Sequence, residues 1–137
     1  MKPEIWGPPA WIFLHSITLE YPENPTNEDK VNMLNFINSL GNVLPCMKCK
    51  INFNTHLQKY PVDQHVLESR SKLVKWLIDI HNAVNIMNNK KELSYENCLK
   101  ELLEMYNCKN DKNLLIIYIL IIIIIVGICG FLFKMFL

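Results

Sequence analysis

The sequence predicts an all-α protein in which a bundle of five helices is followed by a C-terminal transmembrane helix. Apolar residues recur at helical spacing in five segments, which proline, glycine or asparagine residues separate. The sequence contains no convincing strand pattern or internal repeat. Near its end the chain carries 20 consecutive residues without a charge, residues 114–133. Together these observations predict one helical domain with a hydrophobic anchor.

The first two helices are predicted from apolar spacing and from the residues that bound them. The first helix has prolines in its first turn and ends at a Tyr-Pro pair. One of its faces carries Trp11, Leu14, His15 and Thr18. The second helix covers about residues 27–40 and is capped by Thr26 or Asn27. We expect Gly41 to break it.

The other three helices are predicted in the same way. Pro45 suits the first turn of the third helix, which carries Cys46 and Cys49. The fourth helix starts at Ser69 or Ser71, and its apolar stripe consists of Leu73, Leu77, Ile80 and Val84. The fifth helix is capped by Ser94 and passes through Leu99, Leu102, Leu103 and Tyr106.

The uncharged run is long enough to cross a membrane. At a rise of about 1.5 Å per residue it spans a hydrocarbon core of about 30 Å. A buried core helix is rarely so long or so apolar on every face. The predicted organisation is therefore a helical domain over residues 1–108, a polar linker over 109–113, a transmembrane helix over 114–133 and a short tail over 134–137.

The N-terminal residues predict on which side of the membrane the helical domain lies, and its net charge bears on whether it binds nucleic acid. Prolines at positions 3, 8 and 9 break any apolar signal helix, so we expect the helical domain on the cytosolic side of the membrane. Before the predicted span the chain has 13 acidic and 13 basic residues, so this part carries no net charge. A neutral domain does not favour nucleic-acid binding, which depends on a cationic surface.

The cysteine pattern leaves metal and redox chemistry open. Cys46 and Cys49 form a C-x-x-C motif at a helix start, where the helix dipole favours a thiolate. The strand that precedes this motif in thioredoxin is missing here. Zinc requires four ligands, and Cys98 and Cys108, with nine residues between them, do not form a second knuckle. His56 or His65 could complete another ligand set, whereas Cys129 lies within the predicted span as an apolar packing residue.

The fourth helix carries a polar and aromatic cluster on its otherwise apolar surface. Its members are Trp76, His81, Asn82 and Asn85. Such rings and amides can stack on a large planar heterocycle and hydrogen-bond to it. Taken alone, the stretch that holds His81, Asn82 and Asn85 is more typical of a capped helix end whose polar residues point into water.

Three motifs follow one another over about residues 6–96. The first motif consists of Gly7, Trp11, Leu14 and His15, followed by Tyr21 and Pro22. The second consists of Pro45, Cys46 and Cys49. The third consists of Trp76, His81, Asn82, Val84 and Asn85, followed by Lys90. In this order the three motifs resemble the flavin-linked sulfhydryl oxidases of the Erv/Alr family. The short form looks most like the versions that large cytoplasmic DNA viruses carry.

The resemblance implies a four-helix bundle with a short fifth helix, which binds FAD non-covalently and forms a homodimer. It implies cofactor contacts from Gly7, Trp11, His15, Tyr21, Trp76, His81, Asn82, Asn85, Lys90 and Tyr95, and no metal. Cys49 would lie against the flavin and Cys46 would meet incoming thiols. Electrons would pass from protein thiols, or from a thioredoxin-like carrier, through this pair to FAD and then to O2, giving H2O2. The resemblance also implies a viral protein of the virion membrane or the host cytoplasm.

One departure from the family concerns the last soluble cysteines. Many members have a C-x16-C pair where this chain has Cys98 and Cys108, a C-x9-C pair that begins later. In a continuous helix their Cα atoms would be about 15 Å apart, too far for a disulfide. The pair is thus either a shuttle or a structural pair. The alternative function is a membrane-anchored zinc-binding or adaptor module without oxidase activity.

Overall fold

The structure is a computed structural model that describes the backbone of residues 1–135 and their side chains outside 107–115 and 126–135. Five α-helices and one 3₁₀ turn, and no strand, occur within residues 1–135. They are α1 (Pro3–Glu20), α2 (Asn27–Val43), α3 (Met47–Lys59), the 3₁₀ turn (Val66–Glu68), α4 (Arg70–Met87) and α5 (Tyr95–Met135). The all-helical class is confirmed, and the 3₁₀ turn was not predicted. The chain forms two compact units, residues 1–98 and 99–137.

The start of α1 differs from the prediction. The helix begins at Pro3 and contains Pro8 and Pro9 in its interior, whereas these two prolines were expected in the first turn. Proline has a helix-compatible φ and costs chiefly the amide donor and some steric strain. Both prolines lie on exposed parts of the helix surface, where water can satisfy the carbonyls that lose a partner. The positions of the prolines alone therefore predicted a start of α1 that is too late in the sequence.

The end of α2 also corrects the prediction, because Gly41 lies inside the helix and is buried. A Cβ atom at this position would collide with the side chain of Asn54, which donates to the carbonyl oxygen of Gly41 at 3.5 Å. Gly41 thus permits the close approach of α3 rather than ending α2. At the other end the predicted cap is confirmed, since Thr26 and Asp29 form a reciprocal capping box.

The buried core of residues 1–98 centres on α4, which packs against α1 and the 3₁₀ turn. The predicted cap Ser69 is confirmed, and its hydroxyl accepts a hydrogen bond from the amide of Lys72 at 3.4 Å. Leu73, Leu77 and Ile80 are buried as expected. Two polar contacts fix the surrounding elements: the Tyr21 hydroxyl donates to the carbonyl of Leu67 at 3.0 Å, and Trp76 Nε1 donates to the carbonyl of Tyr60 at 3.0 Å.

The last helix is longer than predicted. Ser94 caps it, with its hydroxyl accepting from the amide of Asn97 at 3.1 Å, and α5 then runs unbroken to Met135. Neither proline nor glycine occurs between Ser94 and Gly127, so no local signal ends the helix near residue 108. The predicted short fifth helix and the linker 109–113 are thus parts of one backbone helix.

No helix within the part of the chain whose side chains are described is long and apolar enough to cross a membrane. Residues 114, 115 and 126–133 of the predicted span, and the tail 134–137, lie outside the described side chains. The described portion, residues 116–125, consists of large apolar residues that are each 46–60 % exposed.

Candidate functional site

The C-x-x-C motif forms a disulfide at the N-terminus of α3. Cys46 and Cys49 are covalently joined, with Cα atoms 5.1 Å apart, and both residues are half-buried. Cys46 is the N-cap residue in an extended conformation, so Pro45 precedes the helix rather than occupying its first turn. The Sγ atom of Cys46 accepts a hydrogen bond from the amide of Cys49 at 3.2 Å. The Sγ atom of Cys46 thus lies at the positive end of the α3 dipole, which favours a thiolate when the disulfide opens.

Helix α3 adds positive charge around this disulfide. Its residues include Lys48 and Lys50, one on each side of Cys49, and no aspartate or glutamate. An anionic thiol that approaches the disulfide therefore meets a cationic helix and no acidic side chain of α3. The geometry suits attack by an external thiolate on one of the two sulfurs.

Rings from α1 and α4 form a second group of functional side chains. The ring of Trp11 stacks on the ring of His81, with centroids 4.0 Å apart and planes inclined by 9°. His15 Nε2 and His81 Nδ1 are 3.1 Å apart and share a hydrogen bond. The thiol of Cys98 lies 3.9 Å from the same Nε2 atom. We call Trp11, His15 and His81 the ring cluster.

The two histidines of the ring cluster are uncharged at neutral pH. Burial lowers the pKa of His15 from 6.5 to about 4. Burial also lowers the pKa of His81 to about 4, with smaller contributions from nearby His15 and Lys90. A shared hydrogen bond between neutral rings needs one donor nitrogen and one acceptor nitrogen, so the pair holds complementary tautomers. The ring cluster thus offers planar neutral surfaces, not fixed charge.

Two buried polar atoms of α1 have no hydrogen-bond partner within the described structure. They are Trp6 Nε1 and His15 Nδ1. His15 is only 2 % exposed, so its Nδ1 atom has little access to water. Leaving such an atom unpaired costs about 1–3 kcal/mol, and a bound ligand with polar atoms on a planar frame could remove this cost.

The asparagines of the third motif take different positions. The side-chain amide of Asn82 donates to the carbonyl of Leu93 and accepts from the amide of Leu93, both at 2.9 Å. Asn82 therefore holds the segment that connects α4 to α5. Asn85 is buried, and its carbonyl accepts from the amide of Lys90 at 2.8 Å. Asn89, at φ 55°, takes the left-handed conformation just after α4 ends.

The remaining predicted site residues are spread over several environments. Tyr21 and Trp76 are buried in the core through the contacts given above. Gly7 has open space within 4 Å of the position that a Cβ atom would take. Lys90 and Tyr95 are exposed, and Tyr95 lines an open groove together with Asn82 and Leu93. The side chain of Cys108 lies outside the described residues.

Two features of this region were not predicted from the sequence: the unpaired indole nitrogen of Trp6 and the contact between Cys98 and His15. Trp6 lies beside Gly7 in the first motif but received no role, and its unpaired indole nitrogen had no sequence signal. The contact between Cys98 and His15 joins residues 83 positions apart, and the cysteine spacing directed attention to Cys108 instead. No group of three or more His, Cys, Asp or Glu side chains suited to a metal ion occurs among the described residues.

The comparisons with known proteins agree with the motif resemblance. The model of the Erv1/Alr family matches residues 8–110. The probable FAD-linked sulfhydryl oxidase R368 of Acanthamoeba polyphaga mimivirus is 51 % identical over 102 residues, which cover 74 % of this chain and 71 % of that protein. The mitochondrial FAD-linked sulfhydryl oxidase ERV1 of Saccharomyces cerevisiae is 33 % identical over 79 residues, which cover 58 % of this chain and 40 % of that protein.

A solved structure shares the fold. The crystal structure of the FAD-binding domain of Erv1 from Saccharomyces cerevisiae superposes with a TM-score of 0.64 at 30 % identity. The match covers 70 % of this chain and 89 % of that domain.

Proposed function

Because the chain belongs to the Erv1/Alr family, we propose that it oxidises protein thiols to disulfides through the Cys46–Cys49 pair. It is a flavin-linked thiol oxidase with FAD as its cofactor. The observation that carries the proposal is a disulfide at the positive end of α3, within the same small bundle as a ring cluster that has an unpaired buried nitrogen. The first element exchanges electrons with thiols, and the second suits a planar redox cofactor.

The residues present fit FAD. An isoalloxazine is planar and carries hydrogen-bonding atoms on its edge, which matches the flat rings of Trp11 and His81 and the unpaired nitrogens of Trp6 and His15. Lys90 is close enough to influence the pKa of His81, so a cation lies near the ring cluster for the phosphates of the cofactor. Open space beside Gly7 leaves room for close approach of a ligand to α1.

We assign cofactor contact to the ring cluster, Asn85, Lys90 and Tyr95, and add Trp6 to that set. Tyr21, Trp76 and Asn82 act instead by position, since their polar atoms bind the backbone of neighbouring segments. A change in any of these three residues would thus move a cofactor contact rather than remove it.

The disulfide provides the thiol chemistry. A substrate thiolate attacks the Sγ atom of Cys46, the Cys46–Cys49 bond breaks, and Cys49 leaves as a thiolate beside Lys48 and Lys50. A second thiol of the substrate then attacks the mixed disulfide, which releases an oxidised substrate and a reduced Cys46. Bound FAD supplies the two-electron chemistry that restores the disulfide and reduces O2 to H2O2.

The family also supports proposals on location and assembly. Residues 1–108 form the enzyme, 109–113 connect it to a membrane helix over 114–133, and 134–137 are the tail. The exposed apolar residues 116–125 support the anchor. The mimivirus relative supports a viral origin, with the enzyme on the cytosolic side of a virion or host membrane. Exposed Ile5, Ile12 and Phe13 on α1 offer a surface for a homodimer.

The role of the last two soluble cysteines also remains a proposal. Positions 98 and 108 lie in one backbone helix, about 15 Å apart by helical rise, so a disulfide between them within one chain requires α5 to open. A shuttle role for Cys108 is the more economical assignment. It would carry electrons from a bulky protein donor or a thioredoxin-like carrier to Cys46.

Oxygen consumption with dithiothreitol tests the proposed function. The wild-type protein should be yellow and should consume O2, whereas Cys49→Ala should keep the flavin and lose at least about a thousandfold in turnover, because the covalent route is gone. Lys59→Ala, on the same helix, serves as the control and should keep full turnover. A yellow protein without turnover would support the adaptor, and a colourless protein that contains zinc would support the metalloprotein.

A further inference from the structure

The surface around the disulfide is apolar as well as cationic. Val43 is 69 % exposed, Met47 is 71 % exposed and Ile51 is 59 % exposed. Val43 is the last residue of α2 and lies three positions before Cys46. Met47 and Ile51 are one turn apart on the same face of α3. Three large apolar side chains thus lie within five residues of Cys46 along the chain, and none of them is buried in the core.

Two lysines of this surface keep their charge available. Lys48 and Lys50 belong to a helix without acidic residues. None of the ion pairs found among the described side chains includes them. Positive charge that is not neutralised by the protein attracts an acidic partner and the thiolate form of its cysteine.

We propose that Val43, Met47, Ile51, Lys48 and Lys50 form a docking surface for a cysteine-bearing segment of a substrate protein that has apolar and acidic side chains beside its thiols. The proposal rests on the proposed function and extends it to the choice of substrate. Attack on Cys46 requires the segment to lie across the α2–α3 junction, where the three aliphatic side chains are. Contact there buries apolar surface, and the lysines orient the acidic flank.

The surface gives no advantage to a small thiol. Dithiothreitol has four carbon atoms, no bulky apolar side chain and no acidic group, so it offers little for these residues to bind. The docking surface therefore separates two kinds of substrate, and this difference can be measured. A second copy of the chain is the competing occupant of the same apolar residues.

Turnover of two synthetic peptides by the full-length, FAD-loaded enzyme tests the docking surface. One reduced peptide carries a C-x-x-C pair flanked by leucine and glutamate, and the other has lysine in place of each glutamate. In Val43→Ser/Ile51→Ser the KM for the acidic peptide should rise about tenfold, while kcat/KM for dithiothreitol stays within about twofold. Val31→Ser is the matched control, since Val31 is a 55 % exposed valine elsewhere on α2.

The charge is tested by Lys48→Glu with Lys59→Glu as its control on the same helix. Wild type should prefer the acidic peptide, Lys48→Glu should reverse or abolish that preference, and Lys59→Glu should retain it. The preference of wild type should also weaken as ionic strength rises, because the exposed charges are screened.

A third measurement keeps docking separate from catalysis. The acidic peptide with serine in place of both cysteines cannot react, and its binding by fluorescence anisotropy should weaken about tenfold in Val43→Ser/Ile51→Ser. If wild type lacks turnover on dithiothreitol but this binding difference holds, the proposed function fails and the docking surface stands. Three results with Val43→Ser/Ile51→Ser would each overturn the docking surface. The first is an equal loss of turnover on dithiothreitol and on the acidic peptide, and the second is an unchanged KM and binding for that peptide. The third is conversion of a wild-type dimer to a monomer in light scattering, which would assign these residues to a second copy of the chain.

Discussion

The disulfide end of α3 and the ring cluster between α1 and α4 differ in almost every physical property. The disulfide is half-buried and lies at a positive helix end, and its neighbours along the chain include two lysines and three exposed apolar residues. In the ring cluster His15 is buried while Trp11 and His81 are half-buried, and both histidines are neutral because burial lowers their pKa values. The first region is suited to mobile anionic thiols, whereas the second is suited to a flat ligand that stays bound. Under the proposed function, thiol exchange and cofactor binding therefore take place on different elements of this small bundle.

The largest expected effect is the loss of FAD affinity when one ring of the ring cluster is removed. His81→Ala deletes the ring that stacks on Trp11 and bonds His15, so FAD affinity should fall about ten- to a hundredfold. The affinity is measured by flavin fluorescence after dilution. His65→Ala changes an exposed histidine on the loop before α4 and should leave FAD affinity unchanged. Equal affinity in wild type and His81→Ala would remove the ring cluster from the cofactor site.

Asn82 should stabilise the segment that connects α4 to α5 rather than contact FAD. In Asn82→Ala the amide and carbonyl of Leu93 lose their partners, so unfolding free energy should fall by about 1–3 kcal/mol. Asn82→Asp keeps an acceptor for the Leu93 amide but places a carboxylate oxygen against the Leu93 carbonyl oxygen, so it should not restore wild-type stability. Urea denaturation measures both variants, and Asn42→Ala on exposed α2 surface is the control. An unfolding free energy of Asn82→Ala equal to that of the wild type would contradict the contacts between Asn82 and Leu93.

Acid should weaken the ring cluster first. The pKa values of His15 and His81 are about 4 in the folded protein, against about 6.5 for an ordinary histidine. Between these values the unfolded chain binds protons that the folded chain does not, so stability is full above pH 6.5 and falls towards pH 4. The melting temperature should drop by a few degrees between pH 7 and 5, and the drop should be smaller in His81→Gln.

Titration of Asp29 and Glu68 does not contribute to the change in melting temperature above pH 5. Hydrogen bonds from Thr26 lower the pKa of Asp29, and Lys72 lowers the pKa of Glu68, so both stay ionised in this interval. A pH dependence that is identical in wild type and His81→Gln would show that His81 is not buried and neutral in solution.

Much of the helical layout could be predicted because it depends on local signals. These signals lie within a few residues of the helix that they affect. They are the caps at Thr26, Ser69 and Ser94 and the apolar stripe of α4. The exceptions depend on partners that are distant in sequence. Gly41 looks like a helix break, but it lies inside α2 because α3 approaches it closely. The propensity of one residue cannot reveal such tertiary packing.

The same limit applies to the candidate site. The C-x-x-C motif alone left metal binding and a disulfide open, and the redox pair followed from the resemblance to the family. The stacking of Trp11 on His81 and the contact of Cys98 with His15 join segments that are far apart in sequence. Likewise, Asn82 was expected to bind a cofactor, yet its amide is engaged by Leu93 in this structure. Motif order identified the residues, but only the fold assigns their partners.

In the proposed mechanism the two regions act together: Cys49 is the sulfur that exchanges electrons with FAD, and Cys46 is the sulfur that substrate thiols attack. The visible absorption spectra of Cys46→Ser and Cys49→Ser, both loaded with FAD, test it most directly. Cys46→Ser leaves Cys49 as a thiolate and should show a long-wavelength charge-transfer band between sulfur and flavin, whereas Cys49→Ser should show none. Identical spectra from the two variants, or the band in Cys49→Ser alone, would contradict the assignment.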